Sequence, residues 1–329
     1  MPHALRRWLN TARNRRELAA RRLRLASLPQ IVFIDPANVC NLRCALCPTG
    51  QGKIPPPHGC MPLDLFEEVV WALGPTARQL HLYNWGEPLL NKDILQMVRL
   101  AAATGAKVYL ATNLNAMKPE MAEPLVRSGL YLLSVSIDGA RQESYAAYRQ
   151  GGDMEVVVAN LRRLVEARRR ARRSRLRIRW QFLAARHNEG EVGAARAQAR
   201  ALGVEFRVHR LHVGLGADGQ ESLSERVQHG ADWLPRQAAL NRYQTENAGR
   251  VCRHLWDRTV INFNGSVWPC CQVFDPRQAF ADRFDPDFGR IWNGPAYMAA
   301  RALFAGSEAA APEIEGLVCR QCLRLGNVL

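Results

Sequence analysis

Residues Asn38–Pro48 read NVCNLRCALCP, and the spacing of Cys40, Cys44 and Cys47 within that stretch decides how the chain around it is read. Three thiols set among Asn, Arg and Pro do not match a packed strand, where cysteine serves as a small hydrophobe. A structural zinc site takes four Cys or His ligands, so three is one too few. Three thiolates on one loop suit three corners of a [4Fe–4S] cube and leave the fourth iron open. Two other readings stay open: a zinc site completed by His58 or Cys60, and three unrelated core cysteines.

The whole chain narrows the field. Its 329 residues, 47% hydrophobic and 23% charged, suit a globular protein with ample core. No apolar run approaches the ~18–20 residues that span a bilayer. Paired arginines near the N-terminus are followed by no apolar segment, so no signal peptide is expected. Nine cysteines without such a signal point to metal or redox chemistry in a reducing cytoplasm, not to disulfides. The net charge of +15 invites a nucleic-acid reading. Only four of the 45 basic residues are lysines, though, which speaks for arginine-favouring codon usage, and nucleic acid is not the expected partner. The run RRLVEARRRARRSRLRIRW (Arg162–Trp180) reads as a solvated helix end leading into a strand.

Between the two cysteine groups, strand-like and helix-like stretches alternate. The strands are Ile31–Ala37, Gln79–Trp85, Lys107–Asn113, Tyr131–Asp138, Leu176–Ala184 and Val204–Val213. Helical stretches at Leu63–Leu73, Lys92–Thr104, Pro119–Ser128, Met154–Arg172 and Glu189–Leu202 separate them. Repeated strand–helix units imply right-handed crossovers and a parallel sheet. The expected fold class is α/β, a partial (β/α)6 TIM-like barrel. In such a barrel reactive groups gather after the strands. The cysteine loop, NWGEP (Asn84–Pro88), TNLN (Thr112–Asn115) and SIDG (Ser136–Gly139) all fall there.

The division expected is a basic extension over 1–30, a barrel core over 31–213, a Gly-rich linker or active-site cover over 214–250, and a small α+β domain over 251–329. In the last, TVINFNGSVWPCC (Thr259–Cys271) reads as a hairpin turning at Asn264-Gly265. A helix over Ala296–Phe304 and the closing CRQC (Cys319–Cys322) come after it. The extension reads as a helix that covers the sheet.

Taken together, CxxxCxxC after the first strand and Gly-Glu-Pro after the second resemble the radical SAM superfamily. The resemblance implies a [4Fe–4S] cluster on Cys40, Cys44 and Cys47, with S-adenosylmethionine (SAM) chelating its open iron. One electron from an external flavodoxin- or ferredoxin-type reductant then cleaves SAM, and the 5′-deoxyadenosyl radical takes hydrogen from substrate. It further implies cofactor contacts from the NWGEP loop, where Asn84 and Trp85 replace small residues and Gly86 and Glu87 approach the methionyl amine. Asn113, Ser136, Asp138 and Gln181 are further candidates, Asp138 doubling as a helix cap and Gln181 as a buried amide.

The second cysteine group resembles the shortened SPASM, or twitch, module. Cys252, Cys270, Cys319 and Cys322 would close an auxiliary [4Fe–4S] cluster, and structural zinc on the same thiols is the alternative. Cys270 and Cys271 are adjacent, and spacing does not choose the ligand between them. Cys271 and Cys60 are candidate hydrogen-atom donors. Only 30 residues precede the first strand, too few for a peptide-binding domain, so the resemblance favours a small hydroxylated substrate of sugar or aminocyclitol type, oxidised or epimerised. Maturation of a peptide residue is the first alternative. A non-catalytic zinc or nucleic-acid-binding module is the remote one.

Overall fold

The structure is a computed structural model that describes residues 2–171, 174–211, 232–241, 252–307 and 314–324. Six strands run parallel: β1 (Ile31–Ile34), β2 (Gln79–Leu82), β3 (Lys107–Thr112), β4 (Leu132–Ser136), β5 (Arg177–Ala184) and β6 (Glu205–Arg210). The connections carry α2 (Leu63–Leu73), α3 (Ile94–Ala103), α4 (Ala122–Arg127), α5 (Gln142–Tyr148), α6 (Met154–Arg170) and α7 (Val192–Ala201). This is the open (β/α)6 barrel that the alternating pattern predicts.

Local chemistry sets the element ends. Asp153 caps α6 by accepting from the Glu155 and Val156 amides, and Arg168, Arg169 and Arg170 fill its last turn, where cations suit the helix dipole. The arginine run therefore has a structural use. Gly105 takes φ 80° between α3 and β3, a turn that a β-carbon would strain. The strands are shorter than the sequence implies because their C-terminal residues peel into the loops that build the site.

The tail does not form a separate sheet. β7 (Arg258–Ile261) pairs in parallel with β1, and β8 (Val267–Trp268) returns antiparallel beside it, giving the order β6-β5-β4-β3-β2-β1-β7-β8. The hairpin turns at Asn264-Gly265 as expected, with Gly265 at φ 85°. Short helices α8 (His254–Asp257), α9 (Phe288–Trp292), α10 (Pro295–Ala305) and α11 (Val318–Arg324) complete this part. Of the 214–250 stretch only 232–241 is described, so a linker or cover there lies largely outside the described residues.

The basic extension is a helix, α1 (His3–Ala19), lying on the N-terminal end of the barrel. Arg7 donates to the Ala77 and Thr104 carbonyls at 2.6 and 2.9 Å, and Asn14 to Trp256 O at 2.5 Å. Among the described residues no helix is long and apolar enough to cross a membrane.

On each central strand one set of side chains is sealed and the alternate set is less buried. Leu80, Leu82, Val108, Leu110, Ile178 and Phe182 are sealed and face the helices. The alternate set faces the concave side, where Phe33, His81 and Tyr109 stack at centroid spacings of 4.5 Å. This aromatic layer lines the concave side across β1, β2 and β3.

Candidate functional site

The cysteine loop leaves β1 at that mouth and is braced from two sides. Glu87 N donates to Val39 O at 2.8 Å, while Arg43 N and Ala45 N donate to Gln150 O and Tyr148 O at 2.9 and 3.0 Å. Donors also face its sulfurs. Leu42 N and Asn113 Nδ2 lie 3.4 and 3.7 Å from Cys40 Sγ, and Arg149 Nη1 lies 3.6 Å from Cys44 Sγ. Burial pushes the Cys40 thiol up to about 11 and raises that of Cys44, which Arg149 counters. A metal that binds here displaces protons. Three thiols with N–H groups aimed at two of them fit a thiolate-held iron–sulfur cluster, whose sulfurs need such donors.

Arg149, a residue that the sequence alone does not single out, lies under this loop by α5 with its side chain only 16% exposed. Its Nε donates to Asp138 Oδ2 at 2.6 Å, and Asp138 Oδ1 accepts from Leu183 N at 2.6 Å. Asp138 thus orients a largely buried cation at Cys44 and does not cap α5. Nothing in YAAYRQGG (Tyr145–Gly152) distinguishes Arg149 from the other arginines of an arginine-rich chain.

The NWGEP loop crosses between the cysteine loop and the tail. A β-carbon on Gly86 would come within 1.7 Å of Ala37 O, so only glycine allows this approach. Glu87 is sealed; its carboxylate accepts from Thr112 Oγ1 (2.6 Å), Asn113 N (2.8 Å) and Leu89 N (3.0 Å). Burial raises its pKa and these donors oppose the rise. Trp85 turns toward the tail, where its indole donates to Val273 O at 2.8 Å and meets Phe274 edge-on. This gives a physical reason for a large residue at that position. Asn84 beside it is half-buried, with its Nδ2 shielded from solvent and unpartnered. Asn113 Nδ2 donates to Asn41 Oδ1 at 2.9 Å, bracing the cysteine loop.

On the concave wall Ser136 pairs in register with Gln181, whose Oε1 accepts from Ser134 at 3.1 Å. Tyr83 OH lies 2.8 Å from His81 Nδ1, and burial holds His81 down to about 3, leaving it neutral. Asp35 is sealed, with Trp85 N 3.3 Å from Oδ2 and Oδ1 unpartnered, and burial lifts its carboxyl to about 7.

The two adjacent cysteines part company. Cys270 interacts electrostatically with its neighbour Cys271 and also with Cys252 and Cys322, and Cys319 with Cys270, Cys252 and Cys322; burial and these neighbours push the Cys270 and Cys319 thiols well up. Cys271 instead interacts with Arg258 and Tyr83 on the concave side. Cys60 is exposed, bridged to Ala37 and 3.8 Å from Leu90 O, with Asp35 and Asp93 as its charged neighbours.

Comparison with known proteins agrees with this geometry. The model of the radical SAM superfamily matches residues 34–174, and that of SPASM, an iron–sulfur cluster-binding domain, matches residues 252–323. The AdoMet-dependent heme synthase of Methanosarcina barkeri is 30% identical over 125 residues, 38% of this chain and 36% of the relative. Mycofactocin maturase MftC of Mycobacterium ulcerans is 29% identical over 201 residues, 59% of this chain and 52% of the relative. The chain thus spans from about a third to about half of these relatives' length. In fold it resembles Streptococcus suis SuiB bound to its precursor peptide SuiA, with a TM-score of 0.63 and 13% identity over 97% of this chain and 74% of that one.

Proposed function

Since the chain belongs to the radical SAM superfamily and carries a SPASM iron–sulfur domain, we propose that it abstracts hydrogen from a small hydroxylated substrate, of sugar or aminocyclitol type, held in the barrel mouth. The matches to both family models support a radical SAM enzyme that uses a [4Fe–4S] cluster and SAM, over the zinc or nucleic-acid-binding alternative. With one electron from an external reductant, the SAM-loaded cluster supplies a 5′-deoxyadenosyl radical that takes the hydrogen atom. Cys40, Cys44 and Cys47 would hold that cluster, and Cys252, Cys270, Cys319 and Cys322 the auxiliary one. Glu87 and Asn113 would hold the loops around SAM in place, with Ser136 and Gln181 on the wall beside it.

The observation that carries the reading is that Cys270 interacts with Cys252, Cys319 and Cys322, whereas Cys271, its immediate neighbour, interacts with Arg258 and Tyr83. With Cys270 in the auxiliary ligand set, the Cys271 thiol near Tyr83 would return a hydrogen atom to a substrate carbon, which makes the net reaction an epimerisation. The sulfur radical left on Cys271 is reduced by the same external reductant, with a proton from solvent. Neutral hydrogen-bonding groups on the wall (Tyr83, His81, Ser134 and Gln181) suit a hydroxylated ligand. Oxidation, with the auxiliary cluster taking the second electron, is the outcome when Cys271 does not donate. A second reading, maturation of a peptide residue, draws on the likeness to mycofactocin maturase.

The test is iron, sulfide and 5′-deoxyadenosine measured on anaerobically reconstituted protein. About eight irons per chain are expected, falling to about four both in the Cys40/Cys44/Cys47→Ala variant and in Cys270→Ala, with Cys271→Ala unchanged. Loss of iron in Cys271→Ala equal to that in Cys270→Ala would remove the thiol donor. Absence of 5′-deoxyadenosine from the wild type under strong reductant would remove the radical reading itself.

A further inference from the structure

Helix α1 is amphipathic the wrong way round for a helix lying on a protein. A surface helix ordinarily turns its apolar stripe to the core and its polar face to water. Here the buried residues are Asn10, Asn14 and Glu17, while Leu5, Trp8 and Leu9 are 45%, 65% and 40% exposed. The inward face is held mainly by polar bonds, and Leu18 near the helix end packs against the core. Asn10 Nδ2 donates to Leu28 O at 3.0 Å, and Asn14 Nδ2 to Ser27 Oγ at 3.1 Å. Glu17 accepts from Ala26 N and Ser27 Oγ at 2.8 and 2.5 Å.

With spacings of three and four, Leu5, Trp8, Leu9 and Ala12 fall on one outward stripe. Arginines surround it. Arg6, Arg13, Arg15, Arg16, Arg21, Arg22 and Arg24 are all exposed, and Glu17, the single acidic residue among the first thirty, is buried. Beside Trp8 an open groove of about 360 Å³ is edged by Arg15 and Arg78.

We propose that α1 lies in the interface of an anionic bilayer, with Leu5, Trp8 and Leu9 among the upper acyl chains and the flanking arginines on lipid phosphates. Two features favour a bilayer over an acidic protein. The apolar side chains stand proud of a convex helix, which suits insertion between lipids, whereas an acidic partner would have to provide a pocket for each of them. Tryptophan, leucine and arginine are also the residues that interfacial helices use, and each arginine near an anionic surface adds attraction. The net charge of +15 acts in the same direction.

The orientation comes from the fold. α1 bonds to Ala77 O and Thr104 O, at the N-terminal ends of β2 and β3, while the cysteine loop leaves the C-terminal end of β1. A chain bound through α1 therefore turns its barrel mouth away from the membrane, toward water-borne substrate and reductant.

The full-length protein is sedimented with vesicles of phosphatidylcholine alone, or with about a third phosphatidylglycerol, at low and physiological salt. Binding is expected only to the anionic vesicles and weaker at higher salt. The Leu5→Gln/Trp8→Gln/Leu9→Gln variant, folded to the same circular-dichroism melt because these side chains are exposed, should bind at least tenfold more weakly. The proposal is overturned if the wild type stays in the supernatant with both vesicles, or if the variant binds as the wild type does. A dimer in light scattering that the variant dissolves would assign the stripe to self-association and also overturn it.

Discussion

At Gly86 the chain passes so close to Ala37 O that even a methyl group has no room. Gly86→Ala is expected to displace both the NWGEP and cysteine loops, costing about 3 kcal/mol or more in unfolding free energy, as other overpacked backbone contacts do. Urea denaturation of the metal-free protein measures this, and a cost under about 1 kcal/mol would mean that the two loops are not pressed together. Asp35 makes a different prediction, with a sign set by linkage. Its folded value, about 7, lies above the ordinary 3.8, so the folded state keeps the proton longer. The stability it contributes is intact below about pH 4 and is lost as pH rises toward 7, by roughly 4 kcal/mol in all. Asp35→Asn should therefore gain on the wild type between about pH 5 and 8. A difference that stays flat with pH in parallel urea titrations would show that Asp35 ionises normally.

Helix α5 spans only seven residues, and its importance lies at its C-terminal end. Tyr148 O and Gln150 O take amides from the cysteine loop, and Arg149 between them reaches Cys44 while Asp138 holds its other side. A buried charge that loses its partner is costly. Asp138→Ala should therefore destabilise the protein by about 3–5 kcal/mol, and Arg149→Leu, which leaves Asp138 unpaired, by a similar amount. The double variant should cost less than the two singles summed. Additivity in the same denaturation series would show that the pair acts independently.

Across the whole molecule, segment 22–25 ties α1 to the tail. Trp256 Nε1 donates to Arg22 O at 2.8 Å and Asn293 Nδ2 to Leu25 O at 2.8 Å. Arg301, sealed in the tail, reaches Leu23 O, Trp292 O and Leu255 O at 2.8–2.9 Å and lies 4.4 Å over the Trp292 ring. Arg301→Ala empties that space and strands three carbonyls, so a loss of roughly 3–5 kcal/mol is expected. Because β7 pairs with β1, barrel and tail should melt together, not in two steps. Two resolved calorimetric transitions would contradict that continuity.

The barrel was legible in the sequence, because apolar periodicity and glycine breakers are local signals that parallel pairing leaves intact. Both cysteine groups stand out in the sequence too, since spacing along a loop is visible in one dimension. Which of Cys270 and Cys271 meets Cys252 and Cys322 was not legible, because neighbours on a chain point to different sides and packing alone settles which side each meets. Arg149 stayed hidden for a similar reason: an arginine among many acquires meaning when Asp138, 11 residues away, and Cys44, 105 residues away, close around it. The inward polar face of α1 also needed the folded chain, since its stripes can be read along the sequence but the side that meets the barrel cannot.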